Sequence, residues 1–316
     1  MGAIYLLIMM INMPRQLASQ ILSHVNQLIL GKEHQVKLAL TCLLAKGHLL
    51  IEDLPGMGKT TLAHGLAQSL GMSYQRIQFT SDLLPADIVG LSIFDPKTQQ
   101  FSLHKGPIFS QLLLADEINR ASPKAQSALL EAMEEHQVSI DGHSHQLPEP
   151  FFVIATQNPV FHAGTYPLPE SQLDRFMMKI AIGFPDADAE KVLLQNSTSR
   201  FEQPPLSAMV DNAQLEKMMA AVQAVHCSDA IIDYVIRLCQ FTREEGFTGQ
   251  ALSPRASKSL VNSAKAWAFI EGREHVIPDD VQAIFISVTE HRIGQQVSGQ
   301  QSLAQQVIEQ VAVVAS

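Results

Sequence analysis

The stretch "IEDLPGMGKTTLA", Ile51 to Ala63, constrains the fold more than any other part of the chain. An apolar run leads into a turn carrying Pro55, Gly56 and Gly58, and a helical pattern starts at Lys59. That order is the phosphate-loop pattern G-x-x-x-x-G-K-[ST]. In it, consecutive backbone N–H groups wrap an anion that the helix dipole also favours. A strand feeding such a helix calls for a mostly parallel sheet covered by helices. Asp53 stands where the pattern has its first glycine. The change costs little if this residue only ends the strand and its side chain points away.

Alternating apolar runs and helical patterns extend the same scheme over 16–185, the expected α/β domain. Gly47–Glu52, Ser73–Phe79, Gln111–Glu117, Phe151–Asn158 and Lys179–Phe184 read as strands, and Ser122-Pro123 opens a helix. Two hairpins interrupt the scheme as insertions: 91–106, around D-P-K-T, and 138–147, turning at Asp141-Gly142. Beyond Pro185 only helices are expected, over Asp188–Arg200, Asn212–Val225, Asp229–Glu245, Pro254–Glu271 and Pro278–His291. They make 186–316 a second, helical domain, with a last helix in the Gln-rich tail. Residues 1–15 read as an extension apart from both. The apolar run Ala3–Ile11 is short of the ~20 residues of a membrane helix and lacks the flanks of a secretory signal. Met13 is expected to be the true start.

The chemistry comes from three strand ends. In the loop, Lys59 is placed to contact β- and γ-phosphate oxygens and the Thr60 hydroxyl to hold Mg²⁺. In "LLLADEINR" a buried strand aims Asp116 at the metal, and Glu117 is placed to polarise a water for in-line attack on the γ-phosphate. In "ATQNP", Asn158 is placed to hydrogen-bond the γ-phosphate or that water. The expected ATP site is therefore Pro55, Gly56, Met57, Gly58, Lys59, Thr60, Thr61 and Asp116. Thr60 and Asp116 are its magnesium ligands, and Glu117 and Asn158 act in catalysis.

These elements, with "FTSDLLPADIVG", "KGPIF", "SPKAQSALLEAMEE", "GTYPLPESQLDRF" and "LSPRASKSL" in that order, resemble the MoxR-type AAA+ ATPases over nearly the whole chain. The family loop reads E-D-x-P-G-x-G-K-T, so Asp53 is a family variant. The resemblance implies an AAA+ P-loop NTPase core with a five-stranded parallel sheet, followed by an all-helical lid. It implies ATP and Mg²⁺ as cofactors and a homo-oligomeric ring, expected to be a hexamer, with ATP between subunits. It further implies chaperone-like work on client proteins, in complex maturation or metal-cofactor insertion, with von Willebrand factor A domain proteins as partners. Arg175, in "QLDRF", matches the arginine finger offered to a neighbour's γ-phosphate, where a planar, always-charged fork suits the developing charge. Its alternative is an intramolecular salt bridge. Arg255, in "SPRA", matches the sensor-2 arginine of the nucleotide site; its alternative is a solvated first-turn residue. Arg120 either senses the neighbour or pairs with an acid. The hairpins either reach the pore and substrate side or decorate the surface. One departure stands out: Val160, Phe161, His162 and Ala163 replace the family's acidic patch before "GTYP".

Charge weighs on the rivals. With 31 acidic against 22 basic side chains, a net charge of −9 and no dense Lys/Arg run, the chain is a poor candidate for binding nucleic acid or an anionic membrane. That counts against a nucleic-acid-remodelling ring motor, and Glu117 counts against an ATP-gated scaffold with little turnover. Cys42, Cys227 and Cys239 have no metal-binding spacing and read as buried thiols of a reducing, cytoplasmic protein. His143 and His145 read as exposed hairpin residues, since no third ligand is close in sequence.

Overall fold

Strands with long apolar runs, such as "LLLAD" and "FVIAT", need cover on both faces. In the computed structural model, residues 2–97, 99–159, 165–195, 208–294 and 301–313 are described. Helices α1 (Gly2–Leu28) and α2 (Glu33–Leu44) lead into β1 (Leu49–Glu52) and α3 (Lys59–Ser69). Then come β2 (Tyr74–Gln78), α4 (Pro85–Val89) and a hairpin of β3 (Gly90–Asp95) and β4 (Gln100–Lys105). They are followed by β5 (Leu112–Asp116), α5 (Pro123–Glu135) and a second hairpin of β6 (Gln137–Ile140) and β7 (His143–Gln146). β8 (Phe152–Gln157), α6 (Glu170–Leu173) and β9 (Met178–Ile180) complete the α/β part. The rest is helical: α7 (Ala187–Gln195), α8 (Asn212–Gln223), α9 (Asp229–Phe241), α10 (Pro254–Ile270), α11 (Pro278–Ile293) and α12 (Leu303–Gln310).

The central sheet has the order β2-β5-β8-β1-β9, with every pair parallel. Leu49, Ile51, Leu112, Leu114 and Ile154 face a core shared with the first three helices and the helical domain. Leu50, Leu113, Ala115, Val153 and Ala155 face a second core, built with α5. The five-stranded parallel sheet and helical lid are as the resemblance implies.

Several boundaries differ from the sequence expectations. The division at residue 15 falls inside α1, which continues through Pro14 and buries Ala18, Ile21 and Val25 in the first core. The fifth strand starts at Met178 and ends at Ile180 instead of continuing to Phe184. The chain leaves the sheet there because the Gly183 N–H donates to Asp53 Oδ2 at 2.6 Å and the Phe184 carbonyl accepts from Lys32 Nζ at 2.6 Å. Helix α7 is described to Gln195, so its expected continuation to Arg200 lies outside the described residues. Cys42 and Cys239 are buried as expected, whereas Cys227 is half-buried. No helix among the described residues is long and apolar enough to cross a membrane.

Two seams hold the lid on the core. In one, Arg292 of α11 donates from Nε to Asp174 Oδ1 at 2.7 Å and from Nη2 to the Phe176 carbonyl at 2.7 Å. Next to it, His291 Nε2 donates to the same carbonyl at 3.0 Å. In the other, Trp267 of α10, the single tryptophan of the chain, meets the His34 ring edge-on at 5.7 Å and carries Lys37 Nζ 3.8 Å above its face.

A buried histidine makes this fold acid-sensitive. His48 donates from Nε2 to the Met133 carbonyl at 3.2 Å and accepts the Val153 N–H on Nδ1 at 3.0 Å. A proton on Nδ1 would face that N–H head-on, and burial pushes the imidazole down from 6.5 to about 4. The unfolded chain then binds more protons than the folded one across this interval, so the associated stability is complete above pH 6.5 and lost as pH falls towards 4. Thermal unfolding measured from neutral pH downwards should show a loss approaching ~3 kcal/mol from this residue. His48→Gln should flatten that part of the profile.

Candidate active site

Parallel register, more than sequence proximity, assembles the site. Gln78 lies opposite Asp116, Ala115 opposite Ala155, and Ile51 opposite Thr156. Gln78, Asp116, Thr156 and Ile51 therefore stand in one row at the carboxyl edge of the sheet. β1 is inserted there between β8 and β9, the last two strands in sequence, at the crevice where open α/β sheets bind ligands.

The loop after β1 is shaped by two left-handed glycines, Gly56 at φ 85° and Gly58 at φ 90°. A Cβ built on either meets nothing within 4 Å, so backbone conformation and not crowding selects glycine there. Pro55, Thr60 and Thr61 are exposed and Met57 is half-buried. Lys59, the first residue of α3, points back under the loop. Its Nζ donates to the Asp53 carbonyl at 2.6 Å, the Leu54 carbonyl at 3.1 Å and Asn158 Oδ1 at 3.4 Å. Burial lowers the Lys59 pKa, and the Asp53, Asp116 and Glu117 carboxylates oppose the shift.

Asp53 has a positive role in this geometry. Its Oδ1 accepts the Leu54 N–H at 2.8 Å and its Oδ2 the Gly183 N–H at 2.6 Å, tying the root of the loop to the exit of β9. Asp53→Ala would leave two N–H groups without that acceptor, each costing about 1–3 kcal/mol where water cannot replace it. The variant should melt at lower temperature and bind nucleotide more weakly, whereas Asp53→Asn, which keeps one acceptor oxygen, should lose less.

Thr156 was not singled out in the sequence, yet it organises both acids. Its hydroxyl donates to Asp116 Oδ1 at 2.5 Å and accepts the Glu117 N–H at 2.9 Å. A hydroxyl directly after the apolar run "FFVIA" is the available signal. Asp116 Oδ2 takes Arg76 Nη2 at 2.6 Å. Glu117 has left the strand and sits at φ 56°, ψ 49°, a left-handed conformation that is costly for a side-chain-bearing residue and turns its carboxylate across the strand ends. Glu117 Oε1 accepts Asn158 Nδ2 at 2.9 Å, and Oε2 accepts Gln78 Nε2 at 3.0 Å. Arg120 pairs with the same Oε2 at 3.1 Å, which is the acid-pairing alternative for this residue. Asn158 thus joins Lys59 to Glu117.

The donor set suits magnesium. Thr60 and Asp116 offer hard oxygens, and Mg²⁺ characteristically takes one or two carboxylates and keeps water and phosphate for the rest. No group of three or more His, Cys, Asp or Glu side chains able to hold a metal is found among the described residues, His143 and His145 included.

Comparison with known proteins shows the family. The model of the ATPase family associated with various cellular activities (AAA) matches residues 48–178, and the AAA lid domain model matches 240–311. The uncharacterized protein YeaC of Bacillus subtilis is 45% identical, over 88% of this chain and 87% of its own length. Chaperone MoxR1 of Mycobacterium tuberculosis is 40% identical, over 85% of this chain and 73% of its own. Protein MoxR of Paracoccus denitrificans is 33% identical, over 85% and 86% respectively. The chain belongs to the MoxR-type AAA+ ATPases. A crystal structure of a candidate ATPase from Cytophaga hutchinsonii superposes on this MoxR-type fold with a TM-score of 0.88 at 32% identity, covering 96% of this chain and 97% of that one.

The two arginines that the MoxR-type resemblance singles out lie together and apart from Lys59. Arg175 Nη2 pairs with Glu134 Oε2 at 3.2 Å. Arg255 Nη2 pairs with Glu134 Oε1, and its Nη1 lies 3.7 Å from Asp174 Oδ2. Arg255, expected at the nucleotide site, shares an acid with Arg175 within this subunit, because α10 starts beside the last turn of α5. Val160, Phe161, His162 and Ala163 lie outside the described residues.

Proposed function

We propose that this MoxR-type protein is a Mg²⁺-dependent ATPase that works as a ring, with each site completed by the neighbouring subunit. What carries the reading is the hydrogen-bonded chain Lys59–Asn158–Glu117 at the strand edge, set beside Asp116, with Arg175 on a separate surface. Lys59 and the loop N–H groups bind the phosphates, and Glu117 accepts the proton of the attacking water while Asn158 holds its carboxylate in line. Thr60 and Asp116 would hold magnesium, which would supply charge neutralisation at the phosphates. Arg175 serves the neighbour's γ-phosphate in trans.

Movement of the lid against the core would remodel a client protein. The naming of the M. tuberculosis relative as a chaperone supports that role. So do the Phe94 and Phe101 rings on the first hairpin, exposed at 48% and 73% and 5.3 Å apart, an apolar surface suited to a polypeptide. A hexamer, a von Willebrand factor A domain partner and a task in complex maturation or metal-cofactor insertion complete the proposal.

Specific ATPase activity measured against protein concentration, with oligomer mass read in parallel, tests it. Activity per subunit should climb as the mass shifts to the ring. A flat rate at constant mass would point to a monomeric nucleotide switch instead.

A further inference from the structure

Arg175, the arginine of the proposed inter-subunit contact, and Arg255 of the lid end on one carboxylate of their own subunit. Glu134, in the last turn of α5, gives Oε2 to Arg175 at 3.2 Å and Oε1 to Arg255. The neighbouring acid, Asp174, is otherwise engaged: it accepts Arg292 Nε at 2.7 Å and Ser253 Oγ at 3.2 Å, and Arg255 reaches it only at 3.7 Å. Glu134 is therefore the acid that holds Arg175, and the main one for Arg255.

The Glu134 cluster is open to exchange. The side chains of Arg175, Glu134 and Arg255 are 29%, 38% and 44% exposed, and a cavity of about 110 Å³ opens among these three and Met133. Ion pairs this exposed are weak, because water screens them and long side chains lose freedom to form them. A phosphate with several charged oxygens is a stronger partner for two planar forks than a single carboxylate.

We propose that Glu134 is a positioning residue that parks Arg175 and Arg255 within one subunit and yields them to the neighbour's γ-phosphate when the ring forms. The inference rests on the shared-site ring proposed above. While parked, the two guanidiniums are neutralised and oriented. On transfer, the Glu134–Arg255 contact also opens, and with it a direct tie between α5 of the core and α10 of the lid. A neighbour's nucleotide would thus act on lid position in this subunit through one carboxylate.

Sedimentation velocity with Mg²⁺-ATP, in a Glu117→Gln background that keeps ATP intact, tests the parking role. Adding Glu134→Gln should lower the protein concentration at half-assembly roughly three- to tenfold, the range expected for releasing two exposed pairs. Glu134→Asp, which keeps the charge, should stay near the parent. With Arg175 and Arg255 both changed to Ala, Glu134→Gln should have no effect. Glu134→Ala provides a second reading, and thermal unfolding checks that each variant is folded.

An unchanged or raised midpoint in folded Glu134→Gln or Glu134→Ala overturns the proposal. If the parent assembles with ATP and Arg175→Ala weakens assembly, that result removes the parking role alone. If the parent does not assemble, or Arg175→Ala assembles as the parent does, the shared-site reading falls and the parking role with it.

Discussion

Arg175→Ala should lower ATP turnover by about 10³- to 10⁵-fold, the range over which an arginine finger acts, with ATP affinity nearly unchanged. The separation of the two effects follows from position. Arg175 pairs with Glu134, while the loop, Lys59 and Asp116 form their own network at the strand edge. Steady-state turnover beside equilibrium binding of a fluorescent ATP analogue reads both. Mixing should expose the trans arrangement. Arg175→Ala subunits, with an intact Glu117, should regain turnover when diluted into rings with Glu117→Gln subunits, whose Arg175 is intact. No recovery in mixed rings of confirmed composition would place the arginine's role in cis.

Glu117→Gln should cost about 10²- to 10⁴-fold in turnover, the usual worth of a general base, while ATP stays bound. In the folded protein both carboxylate oxygens are acceptors, Oε1 for Asn158 and Oε2 for Gln78 and Arg120. A glutamine keeps one acceptor for Asn158 but sets an NH₂ group against the other two donors. Gln78 can rotate its own amide to offer an oxygen, whereas Arg120 has no acceptor to offer. The variant should therefore show lost chemistry with a released Arg120, and Arg120→Ala should change turnover far less than Glu117→Gln does. Equal losses in the two variants would assign Arg120 a direct part in the reaction.

The sheet, the lid and the core of the site were legible because local patterns encode them: apolar runs ending in acids, glycines before Gly-Lys-Thr, proline-started helices. What stayed hidden depends on partners distant in sequence. Asp53 looked like a tolerated substitution, since nothing near it shows that Gly183, 130 positions later, needs its acceptor. Thr156 and Gln78 join the acids only through parallel register, which a single chain does not display. The boundary errors have the same origin. β9 stops where Asp53 and Lys32 capture the backbone, and neither is visible from "KIAIGF". For Arg255 the family motif named the residue, while the ion pair from α10 to Glu134 of α5 decided its company.

The seam at Trp267 gives the molecule an optical channel of its own. Its indole lies between a histidine and a lysine carried by α2, while the ring itself belongs to the lid. Any hinge opening there would strip the charged neighbour from an almost buried fluorophore and let water in, altering its emission and quenching. Because no second tryptophan contributes background, domain motion could be timed in unlabelled protein during a single turnover.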